Sequence, residues 1–177
     1  ITHAVRTVSS IASHLKERSP RLIYKKTDSV LRGHVVAEID TIASVLEKNR
    51  MLLIPANPGM GRIIQGGLYY INGVRLHETD FGSDPEYPAK TSKVTELLDP
   101  SERHAVRSME IPSEIPRGAL VIGDAADTAS LANWASYVQT DCLPAGGGEF
   151  FSALLEQLGY TAQKTQQKET DTRNPSL

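Results

Sequence analysis

Two hydrophobic spacings alternate along most of the chain. Val5, Val8, Ile11, Ala12 and Leu15 recur at helical intervals, with Arg6, Ser9, Lys16 and Glu17 on the other side, so an amphipathic helix is predicted, closed by Pro20. Leu22-Ile23-Tyr24, short and bounded by charge, predicts a buried strand. Leu31, Val35, Val36, Ile39, Ile42, Ala43 and Leu46 make one apolar face and predict a helix over 31–46. Met51 to Ile54 is a second strand, ended by Pro55. Leu68–Ile71 and Val74–Leu76 flank Asn72-Gly73, a type I′ hairpin signal.

The second half continues the alternation. Thr91 to Leu98 reads as a short helix begun by Thr91 or Ser92, and Val106 to Ile111 as a strand. Ala119 to Ile122 is a third buried strand, followed by a helix over 127–138 that carries Leu131, Trp134, Ala135 and Val138. Leu143-Pro144 leads into Gly146-Gly147-Gly148 and a last helix over 150–158. The expected fold is therefore α/β, a mainly parallel, Rossmann-like sheet flanked by helices with one inserted β-hairpin. Residues 1–160 form the domain, and the polar stretch 161–177 reads as a linker or tail.

Composition narrows the function classes. The 177 residues carry 19 Lys+Arg against 21 Asp+Glu, a net charge of −2, so no global field recruits nucleic acid or an anionic membrane. No run approaches the roughly 18 apolar residues of a membrane span. One cysteine, Cys142, makes no internal disulfide and suits a reducing, cytoplasmic setting.

Chemistry concentrates in Lys25-Lys26-Thr27-Asp28-Ser29-Val30-Leu31-Arg32-Gly33-His34, between a predicted strand and helix, where open α/β sheets bind ligands. Asp28 or Ser29 can cap the helix, whose free N–H groups attract an anion. Arg32 offers a planar donor fork to a carboxylate or phosphate, and Asp28 can accept a proton or hydrogen bond from a hydroxyl. A plain alternative makes Asp28 and Ser29 caps only and the cations a solvated rim. Pro55-Ala56-Asn57-Pro58-Gly59-Met60-Gly61-Arg62 is a second glycine loop, without the lysine of a P-loop or the third glycine of a dinucleotide fingerprint. Gly146-Gly147-Gly148-Glu149 reads as a connector, since Glu149 suits the helix dipole in place of a bound anion. The five histidines show no metal-ligand spacing, no G-x-S-x-G elbow exists, and Trp134 is expected in the core.

With those residues in place, the chain resembles the four-carbon acid sugar kinase family. Lys25-Lys26-Thr27-Asp28-Ser29-x-Leu31-Arg32-Gly33 is similar to that family's Lys-Thr-Asp-Ser-Thr-x-Arg-Gly signature. Pro55-Ala56-x-Pro58-x-x-Gly61-Arg62, Gly67-x-Tyr69-x-x-Asn72-Gly73-x-x-Leu76-x-Glu78-Thr79 and Asp84-Pro85-x-x-Pro88-x-x-x-Ser92-x-Val94-x-x-Leu97-Leu98 continue the match in order. Leu143-Pro144-Ala145-Gly146 before a helix fits the end of the domain.

The resemblance implies an ATP- and Mg²⁺-dependent kinase acting on the terminal hydroxyl of a threonate, erythronate or oxo-tetronate. Its N-terminal domain holds the small anionic sugar acid, and a separate domain holds the nucleotide. Lys25, Lys26, Asp28, Ser29 and Arg32 would line the acid site, bordered by Gly61 and Arg62. Arg32 would take the carboxylate, and Asp28 a hydroxyl, with a further role as general base. Val30 and His34 stand where many members have Thr and Asn, and the family's Asp-Asp-x-Thr-Gly segment does not occur. The chain therefore reads as a partial domain, inactive toward ATP alone and open to homo-oligomer formation at an exposed sheet edge. The competing readings are a non-catalytic small-anion binding domain and, third, an aldolase or hydrolase using Asp28 and Lys26.

Overall fold

The computed structural model describes residues 2–101, 104–111 and 114–160. Five strands form one parallel sheet: β1 (Lys25–Lys26), β2 (Arg50–Ile54), β6 (Ala105–Met109), β7 (Ala119–Gly123) and β8 (Cys142–Gly146), in the order β1-β8-β2-β7-β6. A second, antiparallel sheet joins β3 (Arg62–Gln65), β4 (Leu68–Ile71) and β5 (Val74–Arg75). Helices are α1 (Thr2–Arg18), α2 (Val35–Val45), the single turn α3 (Val94–Leu97), α4 (Thr128–Ser136) and α5 (Gly148–Gln157).

The period-2 geometry of β2 divides the core in two. Met51 and Leu53 pack with Ala12 of α1 and with Val35, Val36, Ile39, Ile42 and Ala43 of α2. Leu52 and Ile54 pack with Leu131, Trp134 and Ala135 of α4 and with Phe150, Ala153 and Leu154 of α5. All five β2 residues are buried, which is why this strand reads as a continuous apolar run. Neighbouring β1 and β8 thus send their following helices, α2 and α5, to opposite faces. The crevice between those strand ends is a topological switch point, where open α/β sheets take their ligands.

Several boundaries differ from the sequence reading, each for a local reason. The strand expected at 22–24 begins at Lys25, because pairing with β8 starts at Lys25↔Ala145, while the Tyr24 hydroxyl donates to Gly147 O at 2.6 Å. The helix expected from Leu31 starts at Val35: Leu31 (φ 67°) and Gly33 (φ 88°) take left-handed conformations that a helix excludes. Leu31 is still buried, which is why periodicity alone included it. Ile11, assigned to the apolar face of α1, is 55% exposed. The helix expected over 91–98 is one turn, and the Ser92 hydroxyl bonds His77 instead of capping it. Leu143-Pro144 is not a lead-in but the middle of β8, with Pro144 opposite Leu52. The region 161–177, read as a linker, lies outside the described residues.

The hairpin and the buried tryptophan stand as expected. Asn72 (φ 51°) and Gly73 (φ 80°) are both left-handed in the β4–β5 turn, as a type I′ hairpin requires. Asp127 caps α4 in a reciprocal box with Ser130. Trp134 is fully buried and donates Nε1–H to Asp124 O at 2.7 Å. Burial pushes the Cys142 thiol up to about 12, so it is inert as a nucleophile in the folded chain.

Candidate functional site

At the carboxyl end of β1 the chain turns through Thr27, tied to β8 by Thr27 N–H donating to Gly146 O at 3.0 Å. Asp28 organises the next four residues. Its Oδ2 accepts from Val30 N–H (3.3 Å), Arg32 N–H (3.1 Å) and Arg32 Nε (3.0 Å), and its Oδ1 from Arg32 NH2 (3.2 Å). Neither Asp28 nor Ser29 caps α2, since the cap position is His34 and no side chain bonds there. The expected helix N-terminus therefore lies beyond the turn rather than at Asp28.

Three segments far apart in sequence converge on this turn. Asp84 accepts from Arg32 NH1 at 3.2 Å. Arg62, the first residue of β3, donates NH1 to the Ser29 hydroxyl, and Tyr69 of β4 donates its hydroxyl to Ser29 O at 2.6 Å. Both arginines reach the ring of Phe81, their guanidinium carbons standing 5.7 Å (Arg32) and 5.9 Å (Arg62) from its centre, within cation–π range. Cavities of about 290 Å³, lined by Asp28, Arg32, Asp84 and Glu86 among others, and about 210 Å³, lined by Arg32, His34 and Asp99 among others, open beside Arg32.

The remaining predicted residues fall around this centre with different partners. Lys25 is turned to α2 and paired with Glu38 at 2.6 Å. Lys26 is exposed, its ammonium folded onto Thr27 O. Gly61 (φ 65°) donates to Pro58 O, and a Cβ there would lie 1.9 Å from Asn72 Oδ1, so its absence of side chain is what lets the loop close on the hairpin. Thr27 Oγ1 is buried without a hydrogen-bond partner among the described residues. Sequence reasoning missed Phe81, and it held Tyr69 only as a matched-motif residue with no role in the site. Asp84 stood in a matched motif, yet nothing local signalled that it reaches back to Arg32.

The two other glycine segments lock each other. Glu149 of α5 accepts Gly59 N–H with both carboxylate oxygens (3.1 and 3.2 Å), while Glu149 N–H donates to Asn57 Oδ1 at 3.2 Å. Glu149 thus supplies the anion that a glycine loop would otherwise draw from a ligand.

Electrostatics follow the geometry. Burial works to raise the Asp28 carboxyl, but the Arg32 and Val30 hydrogen bonds and the Arg32 charge outweigh it and hold it below the usual range. Asp84 is lowered chiefly by the Tyr87 and Glu86 N–H groups, with Arg32 adding to them. Groups depressed in the folded state stabilise above their unfolded value of about 4 and lose that contribution as pH falls through the folded value. Urea denaturation should therefore show stability dropping from about pH 4 downward. Arg32→Gln should flatten that drop, because Asp28 then titrates nearer its unfolded value; parallel profiles would show that Arg32 does not set it.

A polar cluster at the switch point of a parallel α/β sheet stands where such folds usually take small ligands. The profile of the sugar-binding N-terminal domain family matches residues 2–154, and the chain belongs to that family, the one the motifs indicated in four-carbon acid sugar kinases. A D-threonate kinase from Salmonella typhimurium is 35% identical over 96 residues, covering 54% of this chain and 23% of the relative. A D-erythronate kinase from Heliobacterium modesticaldum is 32% identical over 104 residues, covering 58% and 24%. A D-threonate kinase from Bordetella bronchiseptica is 29% identical over 160 residues, covering 85% and 39%. The matches thus cover well under half the length of these relatives. Among solved structures, a DUF1537 domain from Bordetella bronchiseptica, a domain-swapped dimer with bound citrate, superposes with TM-score 0.70 at 26% identity, covering 86% of this chain and 41% of that one. A Haemophilus influenzae protein of the DUF1537 family shares the fold at TM-score 0.70 and 20% identity, covering 85% and 42%. No helix among the described residues is long and apolar enough to cross a membrane.

Proposed function

We propose that this chain is the sugar-acid-binding part of an ATP-dependent kinase that phosphorylates the terminal hydroxyl of a four-carbon acid of the threonate, erythronate or oxo-tetronate type. The observation that carries the reading is the gathering of two guanidiniums, Arg32 and Arg62, at the Phe81 ring, next to Asp28 and Ser29 at the switch point. A small polyhydroxy acid needs a cation for its carboxylate and an acceptor for its hydroxyls. Asp28 Oδ1 accepts one hydrogen bond from the protein, which leaves it capacity for a substrate hydroxyl and, in the complete enzyme, for its proton. Ser29, Gly61 and Lys26 border the site, while Lys25 is paired with Glu38 of α2. The relatives' names and the citrate held by the Bordetella structure support a small anionic ligand.

Magnesium and ATP are assigned to the rest of the enzyme. Among the described residues no cluster of three or more His, Cys, Asp or Glu is placed to hold a metal ion, and Glu149 occupies the Gly59 N–H that a phosphate would use. In this reading the nucleotide is held by residues outside this domain. In this reading the protein is cytoplasmic, in keeping with the free, buried thiol of Cys142, and assembles into a homo-oligomer, as the Bordetella neighbour forms a dimer.

Thermal denaturation with D-threonate, D-erythronate and the neutral polyol threitol tests the reading. A bound acid at a hundredfold excess over its Kd stabilises by about 2.7 kcal/mol and raises the midpoint. No shift with any acid would remove the substrate assignment. The chain alone, given ATP, Mg²⁺ and acid, is expected to release no ADP; acid-dependent ADP release would refute the division between two domains.

A further inference from the structure

The two arginines are not equivalent, and their difference divides the work at the site. Arg32 is already matched. Its Nε and NH2 meet Asp28, its NH1 meets Asp84, and the cavity of about 290 Å³ beside it also carries Glu86. The second cavity, of about 210 Å³, that Arg32 also lines carries Asp99. An anion approaching Arg32 meets a cation neutralised by two carboxylates, with further acids around it.

Arg62 stands in the opposite condition. It is half-buried, gives one donor to the neutral Ser29 hydroxyl, rests by the Phe81 face, and has no carboxylate partner among the described residues. The Tyr69 hydroxyl beside it stays neutral, because burial drives its ionisation well above the ordinary tyrosine value, and it donates to Ser29 O instead of neutralising Arg62. A partly desolvated guanidinium lacking a counter-ion, fixed by a hydroxyl and a ring, is prepared for an incoming carboxylate.

Resting on the functional reading above, we propose that Arg62 is the residue that binds the ligand carboxylate and sets the preference for acids over neutral polyols, while Arg32 holds the 28–32 turn in shape. Lys26 is another cation here without a carboxylate partner among the described residues, but it is exposed and its ammonium donates to Thr27 O, so a carboxylate gains less there.

Calorimetric titration of D-threonate, D-erythronate, citrate and threitol into the wild-type chain and its Arg62→Gln, Arg62→Lys, Arg32→Gln and Lys26→Met variants tests this. Arg62→Gln should weaken binding of the acids by roughly 10- to 100-fold, the loss of a charge-assisted hydrogen bond, and weaken any threitol binding far less. Arg62→Lys should recover part of the loss. Arg32→Gln should lower the midpoint and, measured well below it, weaken the acids less than Arg62→Gln does. Equal acid binding by wild type and Arg62→Gln, or a larger loss in Arg32→Gln or Lys26→Met, overturns the assignment. Citrate binding that depends on Arg62, with neither four-carbon acid bound, keeps the assignment and retires the sugar-acid reading. A wild-type chain that binds no acid overturns both.

Discussion

Gly146→Ala is expected to abolish or severely weaken folding. Gly146 ends β8 at φ 146°, a conformation open essentially only to glycine, and a Cβ there would lie 2.0 Å from Ile54 O and 2.6 Å from Ile54 C. Both obstacles are backbone atoms of β2, so no side chain can swing aside. Backbone strain and overpacking together should cost about 2–6 kcal/mol, a large part of the stability of a domain this size. The damage also falls on the site, because Gly146 O receives Thr27 N–H and Gly147 N–H donates to Ile54 O. Urea denaturation of the purified variant measures it; a midpoint within error of wild type would mean that β8 does not pass β2 at this distance.

Trp134→Ala is expected to cost about 3–5 kcal/mol, the range for deleting a large buried aromatic side chain. Trp134 is fully buried on the α4–α5 side of the sheet, and a Cβ on Gly123 would meet its ring at 2.4 Å, so the indole fills the space that this glycine leaves against β7. Its Nε1–H also satisfies Asp124 O at the carboxyl end of β7. Trp134→Phe should recover much of the apolar packing but leave that carbonyl unmatched, placing it between wild type and alanine on a denaturation curve. An alanine variant as stable as wild type would show that the cavity collapses without penalty.

The layered fold was legible wherever burial was complete or a turn carried its own chemistry. β2 and β7 are fully buried and appear as apolar runs; the I′ turn at Asn72-Gly73 and the Asp127 cap each carry local hydrogen-bonding or backbone requirements. β8 was hidden because Pro144 argues against a central strand. The proline is tolerated there because β1 is so short that its ladder reaches only Ala145 and Gly146, so on that side Pro144 lies outside the pairing. β3 was hidden too, since the Gly66-Gly67 turn (φ 58° and 70°) looked like a loop when its first strand had not been recognised.

The site was legible in part for the same reason. Asp28 and Arg32 lie four residues apart and interact locally, so residue type and spacing revealed them. Their shared geometry was not, because it depends on Leu31 and Gly33 leaving the helical region. Phe81, Tyr69 and Asp84 reach the site only through the fold of the β3–β5 sheet and the irregular chain after it, 40 or more residues from their partners in the 28–32 turn. The unequal pairing of Arg32 and Arg62 is likewise a property of three-dimensional contacts, invisible to composition.

If a four-carbon sugar acid binds against the turn after β1, between Arg62 and Asp28, amide NMR of the isotopically labelled chain during titration with D-threonate and D-erythronate will register it there. Saturable shifts are expected at residues 28–33, at Arg62 and at Phe81, with Gly66, Gly67 and Asp124 at the far end of the hairpin unmoved. Shifts centred on those far residues, or no shifts with either acid, would contradict that binding.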